Sequence, residues 1–513
     1  MTGSGLALPQ AQTGEAHPGD DRVVSVAPPS LSTVARGLSW TVIERLVGQG
    51  SWYASLLVLA ILVPPRAFGV VAVGSVIVSV ATLLMESGTG GTIVVTPEVS
   101  ASHLRRSVAR TGSAGVALSA IAAALAAPIL HAFAHGGDAN ALRAMFAAVG
   151  VGAFAIVPQA LLKKTLHFKR QALVLIVAAI LASAAGITAG ALGAGVWALV
   201  TRLVVYQVLL AVLSWVVVLD LLPRGGGSGP PPPLRRAGAP WFMTIALAAF
   251  VAWGVDNLIV GHFTNTAQLG MYTMAFSLGL APTMQISWQV GLVLFPAIAA
   301  TRDRVQVAQR TLKSMRLMAL LLLPLVPLAI VLAPTIIPSV LGHKWAGVVV
   351  PFQLLIVVGA VQGIINMLGE SLGACGGIGT RGRIDATWAA LTGAALIVGA
   401  KTGGIRGAAI AHLVMNAFLA TAYLRWGAPR VGLSASDVVK GVRGAGLAVA
   451  AQGAVTLAAV ISMRSIGTGS TLAALTAGLL GIAALALALP RTAPGLASEA
   501  RSVVAAAVRG RSV

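Results

Sequence analysis

The sequence predicts an all-α polytopic membrane protein of about fourteen transmembrane helices, in two six-helix lobes related by a pseudo-twofold plus two C-terminal helices. Three observations carry this. Of 513 residues, 57% are hydrophobic and only 10% charged, whereas a globular protein has roughly a quarter of its residues charged. The apolar residues come in continuous runs of about 20, the helix length that crosses the hydrocarbon core, without the period-two alternation of a β-barrel. The chain also repeats itself: a shift of 201 positions lays Trp40 on Trp241, Trp52 on Trp253, Leu57 on Leu258 and Gly69 on Gly270 without a gap.

Residues 1–37 are rich in Gly, Pro, Ser and Ala and carry Glu15, Asp20 and Asp21. Lacking a basic start and an apolar core, they are expected to form a disordered cytoplasmic tail and not a cleavable signal. The N-terminal lobe, 38–222, holds apolar runs at 39–62, 68–87, 112–134, 142–162, 171–190 and 195–219. Residues 223–240 contain Gly-Gly-Gly-Ser-Gly and then four prolines, a flexible and then stiff cytoplasmic linker. The C-terminal lobe, 241–425, repeats the pattern at 241–262, 270–297, 317–336, 347–369, 384–400 and 405–424. Two extra spans, 444–463 and 470–489, lie in 442–490, and 491–513 form a basic cytoplasmic tail. Past the first two spans the repeat drifts, so that Lys169-Arg170 falls near Arg381 and Arg383, and Gly195 on Gly407. An even number of spans per copy sends both lobes into the membrane in the same direction, about an axis along the membrane normal. Two such lobes facing across a midplane cavity form a transporter architecture.

Basic residues set the orientation, because short cytoplasmic loops retain lysine and arginine. With the N-terminus inside, the outer loops hold only Arg66, Arg143, Lys344, Lys401, Arg406 and Arg464 of the 35, and Arg45 and Arg202 lie within spans. The rest, such as Arg105, Arg106, Arg110, Lys163 and Lys164, fall inside. Both termini are therefore expected in the cytoplasm. The net charge of +21 is explained as topogenic, facing anionic lipid and no nucleic acid.

One cysteine rules out a disulfide framework. No phosphate-binding Gly-x-x-x-x-Gly-Lys-Ser/Thr loop and no His-Glu-x-x-His run is present, so neither ATP hydrolysis by this chain nor a catalytic metal is expected, and no cofactor. Outer connections of about a dozen residues leave little room for a membrane polymerase or ligase site.

Several stretches, in order, resemble the polysaccharide transporter family, the lipid-linked oligosaccharide flippases of the multidrug/oligosaccharidyl-lipid/polysaccharide exporter superfamily. They are Phe68-Gly69, the acid-x-Gly-x-Gly of Glu86, Gly88 and Gly90, Phe168-Lys169, and Gly195-Val-Trp-Ala-Leu199. In the second lobe they are Asp256-Asn-Leu-Ile-Val-Gly261, Leu269-Gly270-x-Tyr272, Pro282, Pro296-Ala297, Gly342-x-Lys344-Trp345 and Pro351-x-Gln353. Pro64-Pro65-Arg66 departs from the family pattern, and Glu86 stands where aspartate is commoner. The resemblance implies a fourteen-helix protein of the bacterial inner membrane, a flippase and not an enzyme, that moves a polyprenyl-linked sugar chain to the outer leaflet. The partners it implies are the lipid-linked oligosaccharide, membrane lipids, a polysaccharide polymerase and a chain-length regulator.

Charges inside the bilayer need a reason. Arg202, in the sixth span, could hold a pyrophosphate or an acidic sugar, or snorkel to the outer interface. Asp256, at a similar depth in the seventh, could couple transport to a cation, pack in the core, or pair with Arg202. Arg45 could greet a substrate phosphate in the cytoplasmic vestibule, with Glu44 as a second ion-coupling candidate; an interfacial ion pair between the two is the plainer reading. Trp52 and Trp253 lie deep and could stack on sugar rings or simply fill the core. Trp197 and Trp345 are expected at the outer interface. A cation-coupled multidrug antiporter or a peptidoglycan-precursor flippase of the same superfamily remains an alternative; basic Arg45 and Arg202 favour anionic over cationic cargo.

Overall fold

A computed structural model describes residues 39–90, 93, 96, 99–134, 137–222, 254–301, 303–465 and 470–495. Among them the chain is helical, with no strand. Helices are α1 (Ser39–Leu62), α2 (Pro65–Met85) and α3 (Ala101–Ala124, bending by 58° into Ala126–Phe133). Then follow α4 (Ala139–Lys164), α5 (Phe168–Ala191) and α6 (Val196–Val218). Of α7 residues 254–263 are described, and α8 is Thr266–Ala299. Next come α9 (Arg304–Leu341), which breaks at Pro324, and α10 (Val349–Ala374). The helix Ile378–Ala422 is broken at Gly404 into α11 (378–403) and α12 (405–422). Last are α13 (Ala435–Ser465) and α14 (Ser470–Thr492).

Ten of these helices are long and apolar enough to cross a membrane, or eleven with bent α3 as one span. One of the ten joins α11 and α12, which fold back on each other: a Cβ on Gly399 would stand 2.4 Å from the Gly407 carbonyl oxygen, whereas eight residues of straight helix separate such atoms by about 12 Å. The count of fourteen also needs residues 241–253, which lie outside the described residues, as do the expected tail at 1–37, the linker at 223–240 and residues 496–513 of the tail expected at 491–513, whose first two residues end α14.

Local chemistry places the ends. Ser100 accepts a hydrogen bond from the His103 amide at the start of α3, and Asp138 accepts from the Asn140 and Ala141 amides at the start of α4; each satisfies donors that a helix N-terminus leaves open. Gly195 opens α6 at φ 57° and Gly404 opens α12 at φ 57°, a region that side chains avoid. The repeat mate of Gly195 is thus Gly404, three residues before the Gly407 expected from sequence.

A close helix crossing joins the lobes. A Cβ on Gly69 of α2 would lie 1.9 Å from the Thr266 carbonyl oxygen, and a Cβ on Gly270 of α8 would lie 1.8 Å from that of Pro65. Pro65 and Thr266 are mates in the 201-residue register, as are the two glycines. The contact is therefore isologous, each lobe offering the other the same patch, and it brings backbones closer than any side chain permits.

Loops of each lobe complete the seal. Trp345 Nε1 donates to the Ala60 carbonyl at 2.7 Å, and Lys344 Nζ donates to those of Ile61 at 2.7 Å and Val63 at 3.1 Å. These oxygens end α1 and lack partners within the helix. On the other half, His262 Nδ1 donates to the Ala132 carbonyl at 2.9 Å. Trp345, expected at the lipid–water boundary, is instead 0% exposed and meets Phe68 edge-on at 5.2 Å.

Away from this end the lobes part. One buried cluster spans both, from Leu59, Phe68 and Leu142 to Leu269, Tyr272 and Trp345. At the other end, where α3, α5, α9, α11 and α13 begin and the basic residues gather, each lobe has its own cluster: Leu104, Val157, Leu161 and Val218 in the first, and Leu294, Met315, Leu368 and Val438 in the second. Among the described residues the lobes therefore share a buried cluster at the far end and have separate ones at the basic end. Helix α13 packs along α9, where Gln452 Nε2 donates to the Pro324 carbonyl at 3.3 Å.

Gly69→Val and Gly270→Val are each expected to separate α2 from α8 while both lobes stay folded. Spin labels on the far ends of α2 and α8 would read a longer distance in either variant; an unchanged distance would show that the crossing does not set the lobe separation.

Candidate functional site

Arg202 is 5% exposed. It sits where α6 presses on α5, since a Cβ on Gly186 would come 2.7 Å from the Arg202 Cβ. Its Nη1 donates to Ser55 Oγ of α1 at 2.9 Å, and its guanidinium carbon lies 3.7 Å from the centre of the Trp52 ring. Trp52 in turn meets Tyr206 edge-on at 5.7 Å. The side chain is held inside the lobe and does not snorkel. Among the described residues no carboxylate pairs with it. A stacked, desolvated guanidinium gains about 2 kcal/mol from the indole face, against an effective desolvation penalty of several kcal/mol. The hydrogen bond to Ser55 offsets more of that penalty, and among the described residues no carboxylate offsets the rest.

Asp256 of α7 is 1% exposed. Its Oδ2 accepts from Tyr272 Oη of α8 at 3.2 Å and lies 3.8 Å from His412 Nε2 of α12; its Oδ1 accepts from the Asn257 amide at 2.8 Å. The structure does not join Asp256 to Arg202. The two lie in separate lobes and are not mates of each other in the repeat. Ser55 and Asp256 are mates in the 201-residue register, and each faces a polar residue from the last helix of its own lobe, Arg202 on α6 and His412 on α12. Trp253, the expected mate of Trp52, lies outside the described residues.

His412, 4% exposed, is the residue that sequence reasoning passed over. Its signal was an ionisable side chain in the middle of an apolar run, the feature that singled out Asp256.

At the basic end, Arg45 Nε and Glu44 Oε2 lie 3.7 Å apart, the plainer ion-pair reading. Glu44 and Glu86 both act electrostatically on Tyr206, so carboxylates share this mouth of the N-terminal lobe with Arg45 and the lining is not uniformly positive. Asp220 pairs with Arg170 at 2.7 Å near the surface. In the second lobe Arg381 binds Glu370 at 2.9 Å, with Asp385 at 3.6 Å, and Tyr423 Oη donates to Asp385 at 2.7 Å. Among the described residues no group of three His, Cys, Asp or Glu side chains is placed to hold a metal ion.

Residues 58–350 match the model of a family described as polysaccharide biosynthesis protein. The lipopolysaccharide biosynthesis protein WzxC of Escherichia coli is 23% identical over 393 residues, covering 74% of this chain and 78% of its own. The teichuronic acid biosynthesis protein TuaB of Bacillus subtilis is 25% identical over 163 residues, 32% of this chain and 34% of its own. Among solved structures, the lipid II flippase MurJ in an inward closed conformation superposes with a TM-score of 0.65 at 12% identity, over 90% of this chain and 99% of that one. An inward-facing multidrug resistance transporter of the MATE family superposes at 0.57 and 15% identity, over 77% and 98%. At such identities the structural likeness shows the fold.

Replacing Arg202 by methionine keeps much of its length and removes the uncompensated charge. The Arg202→Met protein is expected to unfold thermally at the same temperature as the parent or higher, measured in detergent. A clearly lower midpoint would mean that the guanidinium is there to hold the lobe together.

Proposed function

Because the chain belongs to the polysaccharide biosynthesis protein family, we propose that it is a flippase. Its cargo is a polyprenyl-pyrophosphate-linked oligosaccharide, a surface-polysaccharide precursor, moved from the inner to the outer leaflet by alternating access. One observation carries this reading: a buried guanidinium stacked on Trp52, with no carboxylate paired to it among the described residues. A pyrophosphate supplies the missing charge, and a planar guanidinium matches its oxygens. The neighbouring aromatics, Trp52 and Tyr206, offer ring faces for sugars.

In this reading the basic end is cytoplasmic, as are both termini, by the positive-inside rule. The cargo enters past Arg45, held by Glu44, and reaches Arg202. The polyprenyl chain stays in lipid. The crossing of α2 and α8 then loosens at the far end as the basic ends approach, and the sugar is released outward. A cation bound at Asp256 supplies the energy; Glu44, paired with Arg45, serves the entrance instead. A multidrug antiporter for cationic drugs would be ill served by a buried arginine, whereas a peptidoglycan-precursor flippase would share this anionic chemistry. The family match favours the polysaccharide precursor.

Deletion of the gene, in a strain without a paralogue, is expected to abolish surface polysaccharide, and the wild-type gene to restore it. Arg202→Ala is expected to fail, and Arg202→Lys to restore part, since lysine keeps the charge without the fork. Normal surface polysaccharide in the deletion strain would remove the flippase reading.

A further inference from the structure

The second lobe contains a polar seam that the cargo path does not use. Along α10, Gln362, Asn366 and Glu370 recur every four residues, which stacks them on one helix face. Along α12, His412 and Asn416 stand one turn apart. Asn416 Nδ2 donates to Gln362 Oε1 at 3.2 Å, linking the two rows, and Asn366 Nδ2 donates to Ser287 Oγ of α8 at 3.1 Å. The rows run from the Asp256–His412 pair, deep in the lobe, to Glu370 at the basic end, where Arg381 and Asp385 are partly exposed.

Two buried atoms at the deep end lack hydrogen-bond partners among the described residues, His412 Nε2 and Asn416 Oδ1. A polar atom left unsatisfied in a core is costly, so their retention calls for a use. His412 Nε2 faces Asp256 Oδ2 across 3.8 Å, beyond hydrogen-bond reach. The other titratable and charged groups on the helices packed around the pair are few. Helix α8 contributes Tyr272 and α10 contributes Glu370. Helix α11 carries Arg381, Arg383 and Asp385 at the basic end and Lys401 at the far end. The described part of α7 adds His262 and α12 adds Arg406, both toward the far end.

We propose that Asp256 and His412 together hold one exchangeable proton between α7 and α12, reached from the basic end along the Glu370–Asn366–Gln362 row. The proposal rests on the transporter reading for its purpose: it names the cation that drives the flippase. Uptake adds one proton and no electrons. The proton bonds to Nε2 of neutral His412, whose imidazolium then donates to Asp256 Oδ2; release returns it to water at the basic end. A sodium ion suits this place poorly, because hard cations seek several oxygens and the group opposite the carboxylate is an imidazole nitrogen. The two lobes have thus put different chemistry at corresponding positions: a fixed cation in the first, for the cargo, and a titrating pair in the second.

The test uses the full-length protein in lipid bilayers without cargo, by infrared difference spectroscopy between acidic and alkaline buffer. The wild type is expected to show imidazole and carboxylate bands that are lost together in His412→Gln and in Asp256→Asn. Replacing choline by sodium at constant pH is expected to change none of them. After a pH jump, Asn366→Leu is expected to give the same amplitude several-fold more slowly. Spectra unaltered by both substitutions would overturn the shared proton, as would a sodium-dependent carboxylate band present in the wild type and absent in Asp256→Asn. An unchanged rate in Asn366→Leu would overturn the route. Because no cargo is present, failure here would leave the flippase reading to the deletion strain, and failure there would leave this result standing.

Discussion

Two glycines related by an internal repeat fix how the halves of this protein meet. Where Gly69 faces the Thr266 carbonyl and Gly270 faces that of Pro65, backbone lies against backbone, and no other residue could stand at either place without parting the lobes. A contact built this way is narrow and self-complementary. It joins the lobes at one end, while at the other each lobe has its own buried cluster. Bonds from Lys344 and Trp345 to the last carbonyls of α1 add a seal that lasts only while the lobes touch. In lipid an exposed carbonyl finds no water, so opening the far end requires new partners for these oxygens, and an aqueous passage would supply them.

Within that frame, duplication has been followed by division of labour. The positions held by Ser55 in α1 and Asp256 in α7 correspond, and each meets a polar side chain from the sixth helix of its lobe. One lobe keeps a permanent charge, stacked on an indole. The other keeps a carboxylate that accepts a hydrogen bond from a phenol and lies 3.8 Å from an imidazole nitrogen. Symmetry explains why two unlike chemistries lie at corresponding positions of the two lobes.

The sequence disclosed much of the fold because the bilayer reads composition and length, and the helices lie close to the apolar runs. It disclosed the lobe contact in outline, since two tryptophans and two glycines fell in one register. It did not disclose which way buried side chains point. Successive residues turn by about 100° around a helix, and helices apolar on all sides carry no stripe to mark a facing. Arg202 and Asp256 therefore seemed candidates for each other, and Trp345 seemed a boundary residue. His412 was passed over because a histidine amid alanine and leucine shows no spacing motif; only packing of α12 against α7 brings it to Asp256. The register slip at Gly195 arose because insertions move a glycine match at no cost, while φ identifies the true hinge at Gly404.

In the proposed flippase, transport requires the far-end contact to open and close. Cysteines replacing Phe68 and Trp345, whose rings meet at 5.2 Å, in a chain with Cys375 changed to serine, put that requirement to the test. A short reducible thiol cross-linker applied from the far side should stop polysaccharide export, and reductant should restore it. Undiminished export with the cross-link in place would contradict the account.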